Sequence, residues 1–166
     1  MKKQHCVSIF GLLLFVQAAG NCYSQGNSAM ENKKLVMSWI QAINKHDTNA
    51  IGAYYDDRAQ LESPNWEGTK TGKQAAMEIY GRYFLSTPDL RYELSNLIIT
   101  DSALVVEYMS YGTLMNLEKN TPAYMRGKQY ALKNCTRMDM RNGKIMKQAS
   151  YFDQVAFLRQ MGFFDR

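Results

Sequence analysis

Residues 128–141 alternate with a period of two along their whole length. The even positions are Tyr130, Leu132, Asn134, Thr136, Met138 and Met140. The odd positions carry Gln129, Lys133, Arg137, Asp139 and Arg141, with the small Ala131 and Cys135 between them. As a strand this run has one workable register, because a slip of one residue would bury Lys133, Arg137 and Asp139 without partners. Asn142-Gly143 follows, a strong two-residue hairpin signal, and residues 144–152 return as the partner strand. A one-faced hairpin of this length needs a cover over its apolar side, and the rest of the chain has to supply it.

Upstream, Ser28 and Glu31 form a capping-box pattern ahead of a helix over residues 29–45. Leu35, Trp39 and Ile43 recur there at spacing four, beside Val36 and Ile40, and so share one face. Asp47 is placed to cap a second, shorter helix carrying Ile51, Tyr54 and Tyr55. Residues 59–63 read as a short strand stopped by Pro64, and residues 64–70 as a turn-rich loop holding Trp66. Thr71 and Gln74 suggest another capping box, before a helix that carries Ala76, Ile79, Tyr80, Tyr83 and Phe84 and stops at Pro88. Residues 90–100 and 103–115 are strand candidates around a turn at Asp101-Ser102, and residues 117–127 a long hairpin loop. Asp153 is positioned to cap a last helix with Val155, Leu158 and Met161, ended by Gly162. Helices first and antiparallel strands after them predict an α+β fold. In it, N-terminal helices pack on a curved, mostly antiparallel sheet with an internal pocket between the layers.

The first residues belong to a different class of object. Lys2 and Lys3 precede a short apolar run, Cys6 to Ala19, and small residues at Cys22 and Ser24 predict signal-peptide cleavage after Ser24. The expected organisation is a signal peptide at 1–24 and one domain at 25–166, periplasmic or secreted, with no membrane anchor left in the mature chain. Removing 24 of the 166 residues leaves 142 and takes away Lys2 and Lys3 but no acid, so the net charge falls from +5 to +3. No basic run survives, which argues against a nucleic-acid partner. Cys135 and His46 remain as the single cysteine and the single histidine, too few for the usual zinc cluster, and neither a metal nor a cofactor is expected.

Short segments in a fixed order carry a family resemblance. They are the helix end at 39–47, Tyr54 to Ala59, Thr71 to Ala75, Pro88 to Arg91, and Tyr111-Gly112-Thr113. The match continues through Asn142 to Ile145, Tyr151 to Asp153, and Leu158 to Gly162. Together they resemble the SnoaL-like (polyketide cyclase type) domains of the nuclear transport factor 2-like superfamily, over nearly all of residues 25–166. The resemblance implies a cone-shaped α+β fold, often dimeric, shared by aldol-type cyclases, ketosteroid isomerases, epoxide hydrolases and proteins without known activity. Fold therefore does not name a reaction. By the same resemblance, the cyclase His and Asp positions fall on Thr136 and Ser150. The isomerase base falls on Ser63 and its oxyanion tyrosine on Trp39. These are neutral side chains, and a hydroxyl of ordinary pKa is a poor proton shuttle at neutral pH.

Two function classes stay open on this reading. The first is a binding domain for a small, largely apolar molecule, with Trp39, Tyr54, Ser63, Tyr80, Tyr83, Asn134, Thr136 and Ser150 as ligand-binding candidates. The second is a cyclase, isomerase or hydratase working through Glu62, which a one-residue shift would put at the isomerase base position, or through Asp153. A dimeric structural or partner-binding module is a further alternative. A homodimer is expected through the odd-numbered face of residues 128–141.

Overall fold

The structure is a computed structural model that describes residues 19–100 and 102–165, with side chains from residue 29. The segment read as a signal peptide lies outside the described residues up to residue 18, and Asp101 of the expected turn lies outside them too. Among the described residues four α-helices are present: α1 (Ala19–Asn44), α2 (Thr48–Gly52), α3 (Lys73–Ser86) and α4 (Gln154–Gln160). Six strands form one sheet: β1 (Tyr55–Glu62), β2 (Lys70–Thr71), β3 (Arg91–Ile99), β4 (Ala103–Thr113), β5 (Gln129–Arg141) and β6 (Lys144–Phe152). Their order across the sheet is β2-β1-β6-β5-β4-β3, antiparallel throughout except for the parallel β1–β6 pair. The architecture is the expected α+β cone.

The period-two run becomes β5. Leu132, Thr136, Met138 and Met140 are buried, while Lys133, Arg137 and Arg141 are exposed. Asn142 (φ 52°) and Gly143 (φ 69°) both take the left-handed conformation that a two-residue hairpin loop requires. α1 closes over the inner face with Val36, Trp39, Ile40 and Ile43. Trp39 is fully buried and meets Tyr80, Tyr92 and Tyr108 edge-on at ring distances of 6.1, 6.2 and 6.2 Å.

Three local expectations give way to long-range pairing. Helical backbone already runs through Ser28 within Ala19–Asn44, so Ser28 is not a cap. Asp47 does cap α2, accepting from the Ala50 amide, but Tyr55 opens β1 instead of ending a helix. The Tyr54 carbonyl already accepts from the Ile145 amide of β6, and that ladder captures Tyr55. Thr71 lies in β2 opposite Gln60, and Gly72 takes the cap position of α3 at φ 91°. A Cβ at Gly72 would come within 2.8 Å of the Asp57 carbonyl, so only glycine fits there.

Two of the resembling segments clasp each other. The Asp89 carboxylate accepts from the Thr113 amide (2.6 Å) and the Thr113 hydroxyl (2.7 Å). This bond pair ties the turn after α3 to the end of β4, next to the cavity described below.

Candidate functional site

A cavity of about 260 Å³ opens between the C-terminal end of α3, the 114–128 loop, α4 and the inner face of the sheet. That is slightly below the usual range for ligand pockets, roughly 300–1,000 Å³, and suits a compact molecule. Tyr92, Ser110 and Leu132 form its buried end, with Asn134 beside them. Tyr83, Leu90, Tyr130, Phe152 and Phe157 make the walls. The open end is flanked by Asn65, Arg82, Glu118 and Thr121.

Each part is held there for a local reason. The last carbonyls of a helix lack intrahelical partners. On α3 the loop supplies them: the Met115 and Asn116 amides donate to the Ser86 carbonyl, and the Asn116 side chain to that of Leu85. One turn earlier, Arg82 grips Glu118 through contacts of 2.9, 3.1 and 3.2 Å. The two charged groups at the open end thus neutralise each other. Tyr130 lies across from Gly112 in the β4–β5 register, which leaves room for its ring against the sheet. Its hydroxyl points at the Thr87 hydroxyl (3.4 Å).

Beside the cavity runs a continuous chain of neutral polar groups. The Trp39 indole N–H donates to the Tyr55 hydroxyl (3.1 Å), which donates to the Gln148 carbonyl oxygen (2.5 Å). The Gln148 amide donates to the hydroxyls of Ser150 (3.0 Å) and Tyr80 (3.4 Å). Ser150 and Thr136 share a bond of 2.9 Å, and Thr136 bonds the Tyr108 hydroxyl at 3.2 Å. Burial pushes the Tyr108 phenol up to about 12 and raises those of Tyr55, Tyr80 and Tyr92 as well. All four stay neutral across the physiological range.

The sequence candidates separate into three places. Tyr83 and Asn134 line the cavity. Burial raises the Tyr83 phenol, partly offset by the bond from the Asn65 side-chain amide (2.9 Å) and by the nearby Arg82 charge. Ser63 is outside the lining, and its hydroxyl accepts from the Asn65 backbone amide at 3.3 Å. Trp39, Tyr80, Thr136 and Ser150 belong to the buried polar chain beside the cavity. Trp39 and the stacked rings of Tyr92 and Tyr108 (4.4 Å) fill the narrow end of the cone, so the free space lies nearer its mouth. Thr136 is fully buried there and is not among the residues that line the cavity. Tyr54 packs at the core's edge, away from the cavity lining.

Glu62 pairs with Lys147 at 3.3 Å, with its side chain 42% exposed and outside the cavity lining. Asp153 is exposed and caps α4 by accepting from the Ala156 amide at 2.9 Å. Asp153→Asn should therefore melt close to wild type, whereas Asp153→Ala should lose roughly 0.5–2 kcal/mol with the cap. Thermal melts of both variants check this; equal losses would show that the charge, not the cap, matters.

Ser110, Arg82, Glu118 and Tyr130 are cavity residues that were not among the candidates. The alternation Leu104, Val106, Tyr108, Ser110 along β4 does carry a signal for Ser110, since all four face inward. Nothing local marks Arg82 and Glu118 as partners 36 residues apart.

Comparisons with known proteins agree with this architecture. A crystal structure of a SnoaL-like polyketide cyclase from Agrobacterium tumefaciens is similar at 21% identity, TM-score 0.67, covering 78% of this chain and 97% of that one. An LEH-like epoxide hydrolase from Mycobacterium tuberculosis is similar at 14% identity and TM-score 0.64, covering 80% of this chain and 90% of that one. A protein with a ketosteroid isomerase-like fold from Catenulispora acidiphila, in complex with trimethylamine, gives 17% identity and TM-score 0.64, covering 77% of this chain and 92% of that one. At these identities the likeness is one of fold. No curated protein matches the chain by sequence. The sequence profile of the SnoaL-like domain matches residues 36–148, more than half of the chain, including α3, β3, β4 and β5. The chain belongs to the SnoaL-like domain family, on the nuclear transport factor 2-like fold.

Proposed function

We propose that the protein is an exported SnoaL-like domain that holds a small, largely apolar and neutral molecule in its cavity without efficient turnover. The observation that carries this reading is the charge balance of the cavity. The two charged side chains that reach it, Arg82 and Glu118, are spent on each other, and the rest of the lining is aromatic, aliphatic or neutral and polar. A dissociable proton near neutral pH is what general acid–base work requires. At the strand positions where the resembled cyclases carry His and Asp, Thr136 and Ser150 are bonded to each other. The enzymatic alternative would need Glu62 or Asp153, and each already has another partner outside the cavity. The test is a crystal structure of protein purified from its own source. Density for a compact organic molecule between Tyr83, Tyr130 and Asn134 supports the reading; a ligand seated beside Glu62 would move the enzymatic alternative ahead.

Export rests on the basic start, the short apolar run and the small residues before Gln25. N-terminal sequencing of the protein recovered outside the cytoplasm should begin at or near Gln25, and an intact Met1 in the cytosolic fraction would refute it.

A homodimer through the outer face of the sheet belongs to the same proposal. Ile98 and Tyr151 stand 55% and 59% exposed on that face. Tyr151 borders a groove of about 550 Å³ with Glu107, Lys133 and Cys135, a mixed-charge surface suited to self-complementary contact. Arg137 pairs with Asp139 on the same face at 2.8 Å. Arg137→Glu would set two like charges side by side and should shift the dimer toward monomer in sedimentation; wild-type monomer at high concentration would sink this part.

A further inference from the structure

The polar end of the cavity is not only neutral; it has a fixed sense of donor and acceptor. Asn134 on β5 donates through Nδ2 to the Leu132 carbonyl (2.9 Å) and to the Ser110 hydroxyl oxygen on β4 (2.9 Å). A carbonyl oxygen can only accept, so the Asn134 atom facing Leu132 is the nitrogen, and the orientation of the amide is settled. Both amide hydrogens are thereby used. The Asn134 carbonyl oxygen Oδ1 has no donor among the described residues. The Ser110 oxygen is occupied as an acceptor, and its hydrogen has no acceptor among the described residues. Both side chains line the cavity, and Ser110 is only 6% exposed.

We infer that Ser110 and Asn134 form a paired donor and acceptor that selects a ligand with a neutral hydroxyl or amide N–H on an otherwise apolar body. This deepens the binding reading above and rests on it. A hydroxyl satisfies both groups at once, accepting from Ser110 and donating to Asn134 Oδ1. An ether or a ketone accepts from Ser110 but leaves Oδ1 desolvated and unpaired, which costs free energy. A carboxylate sets negative charge against Oδ1, and the nearest lining cation, Arg82, is already neutralised by Glu118. The aromatic walls, Tyr83, Tyr130 and Phe157, suit a flat apolar body.

Three matched probes separate the outcomes at neutral pH: 2-naphthol, 2-methoxynaphthalene and 2-naphthoate, titrated calorimetrically into the full mature protein. Wild type should bind 2-naphthol about tenfold tighter than the ether, the worth of the second hydrogen bond, and the carboxylate weakest of the three. Asn134→Leu should bring the naphthol and the ether close to equal affinity, whereas Ser110→Ala should weaken both and leave the naphthol the tighter of the two. Ser110→Ala is the milder change, and a melting temperature near wild type shows that its effect is on binding. Equal binding of naphthol and ether by wild type, or tightest binding of naphthoate, overturns the donor–acceptor assignment while leaving the cavity reading in place. Binding of none of the three overturns the cavity reading and this inference with it.

Discussion

Trp39→Ala should lower the melting temperature by roughly 6–20 °C. Deleting a buried tryptophan costs about 3–5 kcal/mol, and each kcal/mol lowers the melting temperature by about 2–4 °C in a domain of this size. Trp39 is fully buried and touches aromatic rings from α3, β3 and β4, so its removal opens a hole where helix layer and sheet meet. The loss also leaves the Tyr55 hydroxyl without its indole donor. Against a total stability of about 5–15 kcal/mol, such a loss is a large fraction of what holds the domain folded. Trp39→Phe keeps a ring in place and loses the N–H, so it should melt between the two. A Trp39→Ala protein melting within a degree or two of wild type would mean that the narrow end of the cone can collapse freely, contrary to the packing described here.

Gly112→Ala is expected to destabilise by about 1–3 kcal/mol and to disturb the cavity at the same time. A Cβ at Gly112 would stand 2.1 Å from the Thr87 methyl carbon and 3.1 Å from the Tyr130 hydroxyl. Thr87 is buried in the cap of α3 and Tyr130 is partly buried beside it, so the one open space either could shift into is the cavity itself. The reason for glycine here is therefore close approach, not backbone conformation. Because Thr87 and Tyr130 both line the cavity, ligand affinity should fall with stability. Melts paired with a binding titration check this, and an unchanged cavity affinity would show that the wall relaxes elsewhere.

How much of this was legible in the sequence differs by element. The face of β5 was legible because alternation with charges on one side tolerates a single register. The caps at Asp47 and Asp153 were legible because an N-cap is decided within three residues. Tyr55 and Thr71 were misread because their neighbours in space, Ile145 and Gln60, come from distant or opposite strands, and sheet pairing outweighs local capping. Parity separated inward from outward residues but carried no information on depth. Asn134 and Thr136 sit on the same face two residues apart, yet one meets the cavity and the other does not line it. That difference is set by the volume of Trp39 and the Tyr92–Tyr108 stack, which belongs to packing between elements. The mouth was hidden for the same reason, since Arg82 and Glu118 meet only once α3 and the long loop have been brought together.

The central claim is retention of a compact neutral molecule in the cavity without chemical change, and native mass spectrometry tests it most directly. Protein purified from its own source should carry a noncovalent adduct of low mass that is released unaltered on denaturation. Leu114→Trp, which places a ring on the loop side of the cavity, should lose that adduct while melting like wild type. Retention of the adduct by Leu114→Trp would put the ligand elsewhere, and steady conversion of the bound compound to a new mass during incubation would contradict the account by making the protein an enzyme.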